Sequence, residues 1–226
     1  MTVVQASFML STGEIVDLKS TLTNGTEGEL QVSTKYSVAA VSLGQYGEGK
    51  GITQILQPVS SDAGVAYAYI DRRGEILSVL PVSTSDIQEE PSMPFRPVVL
   101  QAGDTVRVLV NTTSNRTFAL SCITTQGVHA IFSGTPSGAG DIALTHIKSG
   151  QGLGASLTNQ MIMSHFATSV DGAKLDSGGG VYYLNDRGLP VGGCAATNPL
   201  KLQPEINSMG GAAIGLNFVA RVTTNA

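Results

Sequence analysis

Val65-Ala-Tyr-Ala-Tyr-Ile-Asp-Arg-Arg-Gly-Glu-Ile-Leu-Ser-Val-Leu80 decides the class of fold. Two runs rich in Val, Ile, Leu and Tyr flank Asp71-Arg-Arg-Gly74, and Gly74 can take the positive φ that closes such a loop. The segment is a β-hairpin by its residues. Downstream, Thr105-Val-Arg-Val-Leu-Val110 places Val106, Val108 and Val110 on one face and Thr105, Arg107 and Leu109 on the other, the period of two that marks a strand. Ala102-Gly103-Asp104 is the turn that leads into it. The polar loop Asn111-Thr-Thr-Ser-Asn-Arg116 and the apolar run Thr117-Phe-Ala-Leu-Ser-Cys-Ile123 extend the reading to a second antiparallel hairpin.

Working outward, further strands are expected at 3–10, 14–19, 29–34, 37–43, 52–57, 96–100, 128–133, 141–147, 181–184 and 213–223. The last is long and apolar enough to lie centrally in a sheet. Ser11-Thr-Gly13 and Asn185-Asp-Arg-Gly188 are turn-like. One segment carries a helical spacing: Leu153, Leu157 and Met161 recur four apart, with Ile162 and Phe166 nearby, over 153–168. Pro91, Pro94 and Pro97 make 84–97 an extended loop, and the Gly, Pro and Asn of 134–140 and 185–212 read as long connections. Many short strands separated by such turns predict an all-β antiparallel sandwich. Among sandwiches, a jelly roll of eight strands with long loops at one end suits this length, and it is expected over 1–226 as a single domain with at most one short helix. An immunoglobulin-like sandwich fits less well, because the Cys…Trp…Cys pattern is missing.

Composition bounds the function. The chain is 42% hydrophobic but only 13% charged, against roughly 25% charged in an average soluble domain. Interspersed charge keeps monomers apart, so a charge-poor surface suits a subunit covered by copies of itself. The net charge is -4, and the 13 basic residues form no run longer than Arg72-Arg73. A basic stripe for phosphate backbones is therefore absent, and no direct nucleic-acid binding is expected. No stretch approaches the roughly 20 apolar residues of a membrane span. The segment from Met1 to Leu10 lacks the basic and apolar regions of a signal peptide, so synthesis in the host cytoplasm is the expectation. Cys122 and Cys194 form no CxxC pair and are expected as buried thiols. Without a secretory signal, the sequons at Asn24, Asn111 and Asn115 carry little weight.

The motifs that imply chemistry fall short. Gly44-Gln-Tyr-Gly-Glu-Gly-Lys-Gly51 fits G-x-x-x-x-G-K, but Gly51 stands where a hydroxyl must hold Mg²⁺, and Ile52-Thr-Gln-Ile-Leu-Gln-Pro58 is too strand-like to be the helix required. Asp176-Ser-Gly-Gly-Gly180 is like a protease nucleophile segment, yet His129, His146 and His165 do not sit in the context of a general base there. The spacing of those three histidines is unlike a zinc site. Glu89-Glu90 lies in the Pro-rich loop, and paired carboxylates there are expected to be solvated. Asp171-Gly172 and Asn185-Asp-Arg-Gly188 offer loop oxygens to calcium without the EF-hand spacing. No residue is nominated as catalytic, cofactor-binding or metal-binding, no cofactor is implied, and an enzyme is not expected.

Pro97-Val-Val-Leu-Gln-Ala-Gly-Asp-Thr-Val-Arg-Val-Leu-Val110 and the charge-poor Gly/Ser/Thr-rich pattern around it resemble the jelly-roll capsid and decoration proteins of viruses and phages. The resemblance implies a virion protein: a self-assembling subunit of an icosahedral shell, present in many copies beside other virion proteins. Lack of a basic arm points to an outer shell, to a virus with an internal membrane or other inner layer, or to decoration. A phage tail-tube component is the alternative in the same class. From another class, a carbohydrate-binding module would need exposed aromatics, for which Tyr67, Tyr69, Tyr182 and Tyr183 stand as candidates.

Overall fold

The structure is a computed structural model and describes residues 2–23, 27–32, 36–46, 65–80, 98–110, 117–135, 140–169, 180–197, 205–206 and 213–224. It is all-β and very largely antiparallel, with one short helix. Where the sequence suggested one sandwich over 1–226, the chain divides into two compact units. The first comprises 1–113 with 199–202, the second 114–198 with 203–226.

The first unit is built from β1 (Thr2–Leu10), β2 (Ile15–Leu22), β3 (Glu27–Gln31), β4 (Tyr36–Tyr46), β5 (Val65–Arg72), β6 (Glu75–Val79), β7 (Val98–Leu100) and β8 (Thr105–Val110). They form two four-stranded sheets, β2-β1-β4-β7 and β3-β8-β5-β6, in which every neighbouring pair is antiparallel. Alternation explains the layering. Phe8, Leu22, Val98 and Leu100 from the first sheet and Leu30, Ile70, Val106 and Val108 from the second lie in a single buried core. The β5–β6 hairpin forms as its residues dictate. Arg73 and Gly74 both take positive φ, 52° and 90°, as a two-residue primed turn requires, and the Asp71 carboxylate accepts the Gly74 N–H at 3.0 Å.

The second unit contains β9 (Phe118–Thr124), β10 (His129–Gly134), β11 (Gly140–Ala143), β12 (Thr145–His146), α1 (Leu153–Leu157), β13 (Ile162–Ser169), β14 (Gly180–Leu184), β15 (Pro190–Thr197), β16 (Glu205–Ile206) and β17 (Val219–Thr224). The sheet order is β11-β17-β14-β15-β13-β9-β10-β12, and β16 also pairs with β13. Its core gathers Phe118, Leu120, Phe132, Leu144, Leu153, Leu157, Val181, Tyr183 and Val222.

Four sequence readings are corrected. The hairpin across 105–123 does not form: β8 pairs with β3 and β5, whereas β9 pairs with β10 and β13 in the other unit. The reason is burial. All seven residues of β9 are buried, so both its faces need cover, and β8 keeps Arg107 on one of its faces. The helix of 153–168 stops at Leu157, Asn159 turns the chain at φ 63°, and 162–169 continues as a strand. Residues 190–197, read as loop, form β15, where Gly192-Gly193 had hidden the alternation. The C-terminal strand begins only at Val219, because Ile214 bonds instead to Asn159 and Gln160 and Gly215–Phe218 closes a turn. It does lie inside the sheet, between β11 and β14. One pair departs from the antiparallel pattern: β13 and β15 run parallel through Ala167↔Ala196 and Thr168↔Thr197. The strand expected at 52–57 and the loop at 84–97 lie outside the described residues.

Candidate functional site

Few of the motif residues come together. In the G-x-x-x-x-G-K segment, Gly44 and Tyr46 end strand β4 and residues 47–51 lie outside the described residues. Glu89-Glu90, Asp171-Gly172 and 176–179 lie outside them too, and Gly180 opens β14. His129, His146 and His165 sit on β10, β12 and β13. Among the described residues no three His, Cys, Asp or Glu gather as metal ligands. Asn185 spends its side-chain oxygen on its own turn, accepting the N–H groups of Arg187 and Leu189 at 2.9 and 3.0 Å. His146 is likewise a turn residue: its Nδ1 accepts the Lys148 and Ser149 N–H groups at 3.3 Å, and burial, then the Lys148 charge, lowers its pKa.

His165 joins a buried polar cluster. Its Nδ1 lies 2.6 Å from the Tyr183 hydroxyl, with the rings stacked, and the Cys122 thiol lies 4.0 Å from the same hydroxyl. All three are buried, Cys122 as a thiol, so the cluster sits inside the second core. Register explains the meeting, since His165 on β13 is paired directly with Cys122 on β9. A nucleophile needs access and an activated thiolate. Burial withholds the first, and the cluster reads as a polar pocket within the core.

The two sheets of the first unit present contrasting outer faces. On β3-β8-β5-β6, Glu29, Arg107, Tyr69 and Val79 align across four strands. The Tyr69 hydroxyl donates to Glu27 at 2.5 Å, and Arg107 pairs with Glu27 at 3.3 Å and with Glu29. Burial, then the Glu27 carboxylate, pushes the phenols of both Tyr67 and Tyr69 well above their ordinary range. Tyr67, Tyr69 and Tyr183 are all buried, so none offers a ring face to a sugar; Tyr182 is half-buried. Arg107 was legible only as a polar residue alternating with valines. Its two glutamates lie some 80 residues away and meet it only through strand pairing.

The outer face of β2-β1-β4-β7 is different. Met9 and Ile15 are register partners there, 37% and 50% exposed, and Val99 on β7 is 48% exposed while Val98 and Leu100 point into the core. The register puts Ser42 and Gly44 of β4 beside Ser7 and Gln5 of β1. Only Asp17 and Lys19 bring charge to the outward positions of β1, β2 and β4, and their signs cancel. A charge-poor sheet face that exposes Met9, Ile15 and Val99 among small polar residues is a surface feature that marks interaction, and it is the candidate functional site.

The sandwich beneath this face is clamped at one end. Arg72, at the end of β5, donates from Nε and Nη2 to the two oxygens of Asp104, both at 2.8 Å, and from Nη2 to the Val99 carbonyl at 2.8 Å. One guanidinium therefore ties one sheet to the other. Comparison with known protein families, curated proteins and solved structures finds no match to this chain.

Proposed function

We propose that this protein is a structural, self-assembling virion subunit, a capsid component of an icosahedral virus or phage. The observation that carries the reading is strand order in the first unit. Letter β2 to β8 as a to g in chain order, and β1 as h. The sheets then run a-h-c-f and b-g-d-e. We read this as a jelly roll whose last strand has been moved to the front of the chain. The 13% charge content and the exposed apolar side chains of Met9, Ile15 and Val99 support it from the surface side.

The mechanism is association. A specific contact needs about 1,600 Å² of buried surface, and closed symmetry repeats it over many copies. The test is to express the chain and examine it by size-exclusion chromatography and negative-stain electron microscopy. Shells or large oligomers are the expected outcome. Tubes would move the assignment to a tail component, and binding to shells of another protein would move it to decoration. A monomer that binds glycans would overturn it. Few charges also mean weak screening effects, so shells that dissociate between low and moderate salt would count against the reading.

A further inference from the structure

We infer that two copies of this chain join through the edge of β2 that carries no partner strand among the described residues, antiparallel about a two-fold axis at Leu18, to make one continuous sheet. The inference rests on the assembly reading and names its first contact. Among the described residues β2 is a terminal strand of its sheet, and it runs for eight residues, Ile15-Val-Asp-Leu-Lys-Ser-Thr-Leu22, without Pro or bulge. A long edge of that kind is a template for pairing.

The hairpin geometry fixes which groups the edge offers. The Leu10 N–H donates to the Glu14 carbonyl at 2.8 Å, so Leu10 and Glu14 form a hydrogen-bonded pair. Counting along the antiparallel register, Phe8↔Val16, Ala6↔Leu18 and Val4↔Ser20 are the pairs bonded to β1. The N–H and C=O groups of Ile15, Asp17, Lys19 and Thr21 therefore face away from β1, toward the edge. An axis at Leu18 sets Asp17 opposite Lys19 of the second copy and Ile15 opposite Thr21. Both are hydrogen-bonded pairs, and Leu18 faces its own mate in a wide pair. The edge groups thus satisfy one another, and each directly opposed charge meets its opposite. Val16 and Leu18, half-buried at the rim of the core, gain cover.

The other edges of the first unit do not offer this. β7 is three residues long and its Val99 carbonyl is held by Arg72. β3 carries Glu27 and Glu29 within five residues, so an axis there would oppose like charges. β6 is also five residues long and is largely buried. β2 is the self-complementary edge.

The test is sedimentation velocity on the full chain, with circular dichroism to check folding. The variants are Asp17→Lys and the double swap Asp17→Lys/Lys19→Asp. Asp17→Lys sets lysines against lysines across the axis and is expected to weaken dimerisation at least about tenfold, with the double swap restoring it. An Asp17→Lys protein that associates like the native chain would overturn the β2 contact while leaving assembly intact. Loss in both variants would overturn the register. A native chain that stays monomeric at all concentrations would overturn the assembly reading itself.

Discussion

Replacing Arg72 by Ala tests the account of the sandwich most directly. The substitution takes two hydrogen bonds from Asp104 and one from the Val99 carbonyl, each 2.8 Å long. Asp104 is 2% exposed, and only the Gln101 N–H, at 2.7 Å, would remain on its carboxylate. Removing one partner of a buried pair costs about 3–5 kcal/mol. The Arg72 side chain is 29% exposed, so water reaches its side of the pair and part of that cost is screened. A loss of about 2–3 kcal/mol is the result. For a unit of this size it corresponds to a fall of roughly 10–15 °C in Tm. Urea unfolding of Arg72→Ala, Asp104→Asn and the double variant gives the coupling energy. A coupling under about 0.5 kcal/mol would equate the clamp with an ordinary surface pair, and the reasoning would fail. The same pair sets a pH dependence. Burial works to raise the Asp104 carboxyl, but the Arg72 and Gln101 hydrogen bonds outweigh it and hold the pKa below its ordinary value. The unfolded carboxyl titrates near 3.9, so unfolding takes up a proton as the pH drops below that. The stability lost in Asp104→Asn should be constant above about pH 5 and shrink as pH falls through the folded pKa.

Two further outcomes are expected. In a spectrophotometric titration Tyr67 and Tyr69 should stay protonated after exposed phenols have ionised. Unfolded phenols ionise near pH 10, so stability should fall as the pH rises past that point, and less steeply in Tyr69→Phe; co-titration of all six tyrosines would contradict the burial of this pair. Gly154→Ala would drive a methyl into the Gly215 and Leu216 carbonyls, where the Gly154 N–H also bonds to Phe218 at 2.8 Å; about 2 kcal/mol of destabilisation in thermal melts is expected, and an unchanged Tm would refute the close approach.

Residues 65–80 announced their hairpin because local chemistry suffices: two β-rich runs and a turn at Arg73-Gly74. The strand at 105–110 was equally plain, but its partner was not. The apolar run 117–123 follows so closely that adjacency implied pairing, and the burial of all seven residues of β9, with Phe118, Leu120 and Cys122 in the second unit's core, explains why it left. At 153–168 the four-residue spacing of Leu153 and Leu157 made one helical turn. Its continuation became β13, because pairing with β9 outweighed a weak local preference.

The sequence by itself determined the all-β class, most strands and the charge-poor surface, since alternation, turn residues and composition are local properties. Tertiary structure alone decided how the strands sort into two units, how Arg72 comes to bridge two sheets, and which sheet face exposes Met9, Ile15 and Val99. Those outcomes depend on register between segments as many as 80 residues apart, as Arg107 and Glu27 are. A pairing of that range is settled by which faces can be buried together, and the pattern of one segment carries no record of it.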